Sequence, residues 1–331
     1  MVLAGAALAA PATADEAKTI KGVELDERTD GVDVGAAVGG TLSVNDNRNV
    51  VGQTDGASIT FGYKVDAGVA FLRGKHEWRD ALFLAQSLSK TPTIPHVLKS
   101  QDALRFESIY LYHVVPWFGP YLRLAGDGPI LAGFDERPVA TNYLIRNVDG
   151  TTTAKTTTQL HLTDMFRPYN LTESLGPFLR PLHREEINVE IRVGASAHQT
   201  FANHQLAIND DAATKDVVEV DELQTYHQIG VEAAAIAWGK LSGDKVLYKA
   251  GVEAMMPLYK SDTLSAEGKS SAELINVIGF GTLSFKIVSW ASIDYDFRVV
   301  RQPQLIDKTQ VQNHLLLTFG INVGSKPKAK E

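Results

Sequence analysis

Three things are missing from this chain, and each absence excludes a class of protein. None of its 331 residues is a cysteine, which excludes disulfides, thiol catalysis and thiolate metal sites. No stretch of about 18 consecutive apolar residues occurs, so we expect no transmembrane helix. Positive charge is also short of negative charge, with a net charge of −7, which argues against a nucleic-acid partner.

The first 14 residues predict a secretory leader. The apolar run 2–10 is rich in alanine, and Ala12-Thr13-Ala14 matches the small-x-small cleavage rule, which would leave Asp15 at the mature N-terminus. No basic residue precedes the run, so the alternative is an alanine-rich tail. Residues 15–32 follow no clear period, and we expect a linker there.

What the chain has in abundance is strict alternation of apolar and polar residues, and the segment 58–71 is the clearest case. One face carries Ile59, Phe61, Tyr63, Val65, Ala67, Val69 and Phe71, and the other carries Ser58, Thr60, Lys64 and Asp66. Successive side chains of a strand point to opposite faces. Repeated along the chain, this pattern predicts an all-β fold, an antiparallel transmembrane β-barrel.

Twelve segments alternate in this way when 58–86 is taken as one element. They are about 34–44, 58–86, 104–112, 121–125, 139–146, 157–165, 187–197, 229–235, 246–256, 275–287, 293–299 and 315–323. An even count returns both ends of the barrel to one side, as in bacterial single-chain barrels. We therefore expect a barrel over 33–323 and a basic tail over 324–331.

The connections support this count in the second half of the chain. Lys240–Lys245 and Ser289–Ser292 are short and fall on one side, whereas 203–218, 260–270 and 301–309 are longer and fall on the other. The segment 166–186 fits poorly, because it is long and falls among the short turns. The alternative fold is a soluble periplasmic β-sandwich or a lipocalin-like protein, which also alternates.

Several short motifs resemble the bacterial family called domain of unknown function 3078. They are Lys75-His76-Glu77-Trp78-Arg79-Asp80-Ala81-Leu82, Lys99-Ser100-Gln101-Asp102, the strand with Tyr110 and Tyr112, the run Phe285-Lys286-Ile287-Val288-Ser289-Trp290, and Tyr295-Asp296-Phe297. The resemblance covers about 55–323 and implies an outer-membrane-barrel-like protein without an assigned activity. The ending 324–331, which lacks a terminal aromatic, and the long 166–186 segment depart from an orthodox barrel.

Residues that could carry chemistry are few. Ser196 and His198 share a strand face above Glu190 and Arg192, and a hydrolase would use them as nucleophile and base; we favour ordinary polar lining. The acidic stretch 210–222 could attract a divalent cation but lacks the spacing of a calcium loop. We therefore expect no catalytic residue, no metal site and no cofactor.

The polar faces carry charges of both signs, which we expect to line the lumen. They are Lys64, Asp66, Arg105, Glu107, Glu190, Arg192, Glu232, Lys249, Glu253, Lys286, Asp294, Asp296 and Arg298. A channel selective for one sign would show a bias, whereas this balance predicts cross-strand ion pairs that fill a narrow or closed lumen.

The expected function is therefore a non-catalytic protein of the Gram-negative outer membrane with a structural or narrow-passage role. Its partners would be outer-membrane lipid with its lipopolysaccharide and the barrel-assembly machinery, with no nucleic acid. The alternatives are a small-solute or lipid transporter, in which 166–186 would be a mobile plug, and an outer-membrane lipid hydrolase centred on Ser196 and His198.

Overall fold

The computed structural model describes residues 30–47, 56–94, 96–184, 186–211, 213–214, 216–243, 245–288 and 291–325. The predicted leader 1–14 lies outside the described residues. Of the predicted linker, Asp30 to Val32 are described, and a strand already begins at Gly31. At the other end, the last strand runs to Ser325, so it enters the predicted tail by two residues.

Twelve antiparallel strands form a closed barrel. They are β1 (Gly31–Asn47), β2 (Gly56–Arg73), β3 (His76–Lys90), β4 (Leu98–Tyr112), β5 (Phe118–Gly128), β8 (Tyr169–His183), β9 (Asn188–Phe201), β12 (Tyr226–Leu241), β13 (Val246–Lys260), β14 (Asn276–Val288), β15 (Ala291–Gln302) and β16 (Ile306–Ser325). Neighbours in this list are hydrogen-bonded, and β16 closes the ring on β1. Each strand exceeds or reaches the 9–11 residues that cross a bilayer.

Four further strands form a second, smaller sheet. They are β6 (Gly133–Arg146), β7 (Thr152–Thr163), β10 (Leu206–Ile208) and β11 (Val218–Glu222), in the order β10-β11-β6-β7 with β11 parallel to β6. The connection from β5 to β8 supplies two of them and the connection from β9 to β12 the other two. A small core holds the sheet together: Tyr143, Ile145, Leu160, Leu162 and Val220.

The only helical element among the described residues is a single 3-10 turn at Leu264–Ala266. No helix in the described part of the chain is long and apolar enough to span a membrane.

The barrel is polar inside and apolar outside. On β12, burial alternates residue by residue, so that Gln228 and Glu232 are buried while Ile229 and Val231 are exposed. The same alternation exposes Phe61 and Phe71 on β2. Soluble proteins bury large apolar side chains and expose charges, whereas this barrel does the reverse. Such an arrangement is typical of a barrel in the hydrocarbon core of a membrane. The transmembrane barrel, rather than the soluble sandwich, is therefore the fold.

Both described ends of the barrel lie at the same rim. The connections at that rim contain two to five residues, whereas those at the opposite rim include 129–168, 202–225 and 261–275. We call these rims the terminal rim and the loop rim. Asp102 fastens one long connection to the wall, because its carboxylate accepts the N–H groups of Ile130 and Leu131 at 3.0 and 2.9 Å.

The predicted single element 58–86 is wrong, because it contains two strands. β2 and β3 form a hairpin that turns at Gly74 and Lys75. Gly74 has φ +59°, a left-handed conformation that glycine adopts at little cost, and its N–H donates to Asp30 at 2.7 Å.

Three other predictions also fail. The segments 139–146 and 157–165 are strands of the small sheet (β6 and β7) and not of the barrel wall. The segment 166–186 contains the wall strand β8, so it is neither a long turn nor a mobile plug. The connection placed at 301–309 shrinks to 303–305, because β15 and β16 extend further than their alternation suggests. The total of twelve is confirmed, although two of its members are different strands.

Candidate functional site: the ionic network in the lumen

Buried or nearly buried charges occupy the inner face of seven consecutive wall strands, β3 to β13. The alternation of each strand brings them there: on β3, the inward positions 77 and 79 flank the exposed Trp78. On β5, Arg123 stands between the exposed Leu122 and Leu124. The outward side chains face the apolar surroundings of the barrel, and every second residue therefore faces the lumen. A charge buried there is costly unless it has a partner of opposite sign.

The part of the network nearest the terminal rim centres on Glu77. Arg180 donates to it through both Nη atoms at 2.9 Å, a bidentate geometry that is among the strongest ion-pair arrangements. His113 Nε2 lies 2.7 Å from the same carboxylate. Arg180 also donates through Nε to Glu190 at 2.8 Å, which links β3 to β9 through β8.

Glu190 and Arg192 continue the network towards the middle of the barrel. The Glu190 side chain is 0% exposed and also accepts from Arg79 Nη2, at 3.3 Å. Arg192 lies 3.9 Å from Glu190 and 3.5 Å from both Glu107 and Glu253. Three arginines therefore share the Glu190 carboxylate. One of them, Arg192, also contacts Glu107 and Glu253 and so connects Glu190 with these two carboxylates.

Arg123 is the centre of the network. Its side chain is 0% exposed, and its three nitrogens contact carboxylates on three different strands. Nε lies 2.6 Å from Glu107 on β4, Nη1 3.4 Å from Glu232 on β12, and Nη2 3.6 Å from Glu253 on β13. Four steps of the barrel wall separate β5 from β13, so this one side chain bridges the lumen across a third of the ring.

Ser196 and His198 lie at the end of the network nearer the loop rim, and both contact Glu232. Ser196 Oγ lies 3.1 Å from Glu232 Oε2 and 3.2 Å from the Glu173 carbonyl oxygen, the two acceptors within reach of its single proton, while His198 Nε2 lies 3.4 Å from Glu232 Oε2. A hydrolase needs the serine hydroxyl to donate to the histidine. Here both acceptors near the hydroxyl are oxygens of glutamates and neither is His198, so the hydrogen bond that the hydrolase alternative needs is not formed.

A second, smaller group of charges lies on the opposite side of the ring. Lys64 on β2 contacts Asp66 at 3.7 Å and Asp296 on β15 at 3.6 Å. The latter contact reaches over the two intervening strands, β1 and β16. Ser284 donates to Asp294 on the neighbouring strand.

Aromatic side chains complete the environment of three cations. Arg105 lies 4.6 Å from the centroid of Phe83, Lys64 lies 5.2 Å from the same ring, and Lys249 lies 5.4 Å from the ring of Phe280. A desolvated cation over an aromatic face is stabilised by the ring quadrupole. At these three positions the interior is therefore lined by charge and aromatic surface together.

All thirteen residues predicted to line the lumen lie on inward positions of wall strands. Nine are buried: Arg105, Glu107, Glu190, Arg192, Glu232, Lys249, Glu253, Asp294 and Arg298. Lys64, Asp66, Asp296 and Lys286 are partly exposed. The structure brings Glu107, Glu190, Arg192, Glu232 and Glu253 into one network and places Lys64, Asp66 and Asp296 in another.

Four central members were missed by sequence reasoning: Glu77, Arg79, Arg123 and Arg180. Arg123 lies between the exposed Leu122 and Leu124, and Glu77 and Arg79 flank the exposed Trp78, so the pattern could have found these three. Arg180 lies in β8, whose prolines Pro177 and Pro181 hide its strand character.

The acidic side chains of the stretch 210–222 make contacts within the small sheet and the loops that adjoin it. Asp221 lies 2.6 Å from Arg146, Glu222 lies 3.0 Å from His204, and Glu219 accepts from Thr214 and from the N–H of Asp211. No group of three or more metal-ligating side chains occurs among the described residues.

Comparisons with known proteins give a distant likeness only. No family model matches the chain, so the resemblance to domain of unknown function 3078 stays a prediction, and no curated relative matches it. Among solved structures, the translocator domain of the autotransporter NalP from Neisseria meningitidis is 8% identical with a TM-score of 0.33, each chain being covered to 87%.

An outer membrane channel from Pseudomonas putida F1 is 9% identical with a TM-score of 0.37, over 91% of this chain and 98% of that one. The beta domain of the Bordetella autotransporter Brka is 9% identical with a TM-score of 0.32, over 88% and 96%. A likeness at this level carries no argument about function.

Proposed function

We propose that this chain is a non-catalytic outer-membrane protein of a Gram-negative bacterium whose lumen is closed at rest by the ionic network. Its role is structural, or that of a narrow passage that opens only when the network rearranges. The observation that carries this proposal is the position of Arg123, which is fully buried and contacts carboxylates on β4, β12 and β13.

The location follows from the form of the barrel. An even number of strands, short turns at the terminal rim and long connections at the loop rim are typical of bacterial outer-membrane barrels, with the short turns in the periplasm. The partners expected on this basis are the lipid and lipopolysaccharide around the exposed apolar surface and the machinery that inserts such barrels.

Closure follows from energetics as well as from geometry. Moving one charge of a buried network into an open channel leaves its partners uncompensated, and this costs about 3–5 kcal/mol when one member of a buried pair is lost. Glu190 alone holds three arginines. A spontaneous gap through the network would break several such contacts at once, so the resting lumen stays closed.

Single-channel recording in planar bilayers tests this proposal. The wild type should show no large, stable conductance, and Arg123→Ala should raise the conductance or the open probability. Lys286→Ala is the matched control, since it removes a partly exposed inward cation near the terminal rim, away from Arg123. A large stable wild-type conductance, or equal traces from the Arg123 and Lys286 variants, would refute closure by the network.

The location is tested separately. The chain should sediment with the outer membrane, and the detergent-folded protein should change its gel mobility on boiling. Recovery as a soluble periplasmic protein without a mobility shift would exclude the membrane barrel.

A further inference from the structure

The wall is not equally well joined around its ring, and its weakest join is between β1 and β16. β1 pairs with β2 at 17 positions, over its whole length from Gly31 to Asn47. Its ladder with β16 covers only seven positions, from Val34 opposite Ser325 to Gly40 opposite Phe319. Among the described residues, the seam is therefore joined near the terminal rim and not towards the loop rim.

The joined part of the seam is itself weakly stabilised. Two of its seven pairs consist of glycine on both strands, Gly35 with Gly324 and Gly39 with Gly320. Cross-strand side-chain contacts are the main source of stability between paired strands, and glycine in a strand provides none. Each of these pairs therefore adds no side-chain contact to the seam.

Exposure on the two sides of the unjoined part gives an independent sign of separation. If the register continued beyond Gly40 and Phe319, Leu42 would lie opposite Leu317. Leu42 is 70% exposed and Leu315, two residues from Leu317, is 72% exposed, the two largest values among the exposed apolar residues described, while Leu317 itself is 47% exposed.

The unjoined part lies at the depth of the apolar surface of the barrel. Leu42 pairs on its other side with Phe61, which is exposed and belongs to the alternating apolar face of β2. Lipid-exposed strand edges are not tolerated in hydrocarbon unless water or a polar group satisfies their N–H and C=O groups. The gap must therefore connect to the lumen or hold a molecule that brings its own polar atoms.

From these observations we propose that the β1–β16 seam is a lateral opening in the outer-leaflet half of the barrel, and that it admits the acyl chain of an amphiphilic lipid. The leucines at both lips accommodate the chain, and the polar headgroup or linkage bonds the strand edges. The proposal rests on the transmembrane barrel and on the proposed orientation of its loop rim, but not on a closed lumen, since a lateral gap and a conducting pore are independent properties.

The ion pair between Lys64 and Asp296 joins the two sides of this opening on the lumen face of the wall. Lys64 lies on β2 and Asp296 on β15, the two strands that flank β1 and β16. Their contact at 3.6 Å crosses the inner face of the seam, where Gly39 is the ladder partner of Lys64. The pair therefore limits how far the two lips separate.

Disulfide trapping tests the gap, and the natural absence of cysteine makes it clean. The variant with Leu42→Cys and Leu317→Cys should oxidise at least about tenfold more slowly than the one with Leu42→Cys and Phe61→Cys, because a disulfide needs Cα atoms within about 7 Å. The second pair is a matched control that shares Leu42 and lies across a joined ladder. Equal rates in variants that show heat-dependent gel mobility would overturn the gap.

Quenching by lipids with brominated acyl chains tests the occupant. A bimane label on Thr60→Cys, an inward position of β2 beside the unjoined seam, should be quenched at least about twofold more than a label on the inward Ala234→Cys of β12. Adding Lys64→Gln should increase quenching at position 60. Equal quenching at 60 and 234 would show that acyl chains do not enter, whatever the conductance of the pore.

Discussion

Arg79 on β3 donates to Glu190 on β9 at 3.3 Å, although four steps of the barrel wall separate the two strands. Adjacent strands lie almost 5 Å apart. Two side chains on strands four steps apart therefore contact each other across the lumen and not along the wall. Arg123 repeats the relationship with Glu253 on β13. These ion pairs across the lumen are thus formed by side chains of the barrel's own strands, in the part of the chain that the structure describes.

Neutralising Glu190 should destabilise the barrel strongly. Glu190→Gln removes the charge that Arg79, Arg180 and Arg192 share in a fully buried position, and the expected loss in the free energy of unfolding is about 3–5 kcal/mol. Denaturant unfolding in detergent micelles, followed by tryptophan fluorescence, measures it.

The matched control for Glu190→Gln is Arg146→Gln in the small sheet. Arg146 lies 2.6 Å from Asp221, but the Arg146 side chain is 51% exposed and that of Asp221 is 29% exposed, so the expected loss is below about 1 kcal/mol. If both substitutions cost the same, the buried network contributes nothing special to stability.

The alternation of apolar and polar residues is clear in the sequence because one face of each wall strand is exposed to apolar surroundings. It also contains the signal for the β2–β3 turn: apolar residues occupy odd positions up to Phe71 and even positions from Trp78 onwards. A strand without a turn keeps its parity, so the change at Gly74 marks the hairpin that the interpretation of 58–86 as one element missed.

β8 and the small sheet were harder to predict, for physical reasons. β8 contains Pro177 and Pro181, which lack the N–H that a ladder uses, and Pro177 lies opposite Pro120 of β5 in an exposed pair. β6 and β7 alternate like wall strands, but their apolar face packs against Val220 of β11, more than 50 residues later in the chain. Local alternation shows that a strand exists and not which sheet it joins.

The turn between β2 and β3 should depend on glycine. Gly74→Ala places a Cβ in a left-handed conformation at φ +59°, with no atom within 4 Å of it, so backbone strain alone should cost roughly 1–2 kcal/mol of unfolding free energy. Gly279→Ala is the control, because that site also has room for a methyl group and has no positive φ. It should be neutral or stabilising by up to about 1 kcal/mol. Equal losses at both sites would mean that the turn conformation is not the cause.

Removing the Ser196 hydroxyl should lower the stability of the barrel and leave phospholipid hydrolysis unchanged. Ser196→Ala deletes the bond to Glu232 at 3.1 Å and should lower the free energy of unfolding by about 1–3 kcal/mol. Release of fatty acid from a fluorogenic phospholipid should remain at the detergent background in both proteins. A turnover that is present in the wild type and lost in the variant would restore the hydrolase alternative.

Alkaline titration should show a raised pKa for the phenol of Tyr143 in the small sheet. Burial, followed by the hydrogen bond to Asp135 at 2.8 Å and the charge of Asp135, raises the pKa of Tyr143 from 10.0 to about 12. Because the folded-state pKa lies above the unfolded value, the stabilising contribution is complete below pH 10 and is lost as the pH rises to about 12. The difference in tyrosinate absorbance between the wild type and Tyr143→Phe should therefore titrate near 12. A midpoint near 10 would mean that the small sheet does not bury this phenol, and the contact between β6 and β11 that encloses it would then have to be abandoned.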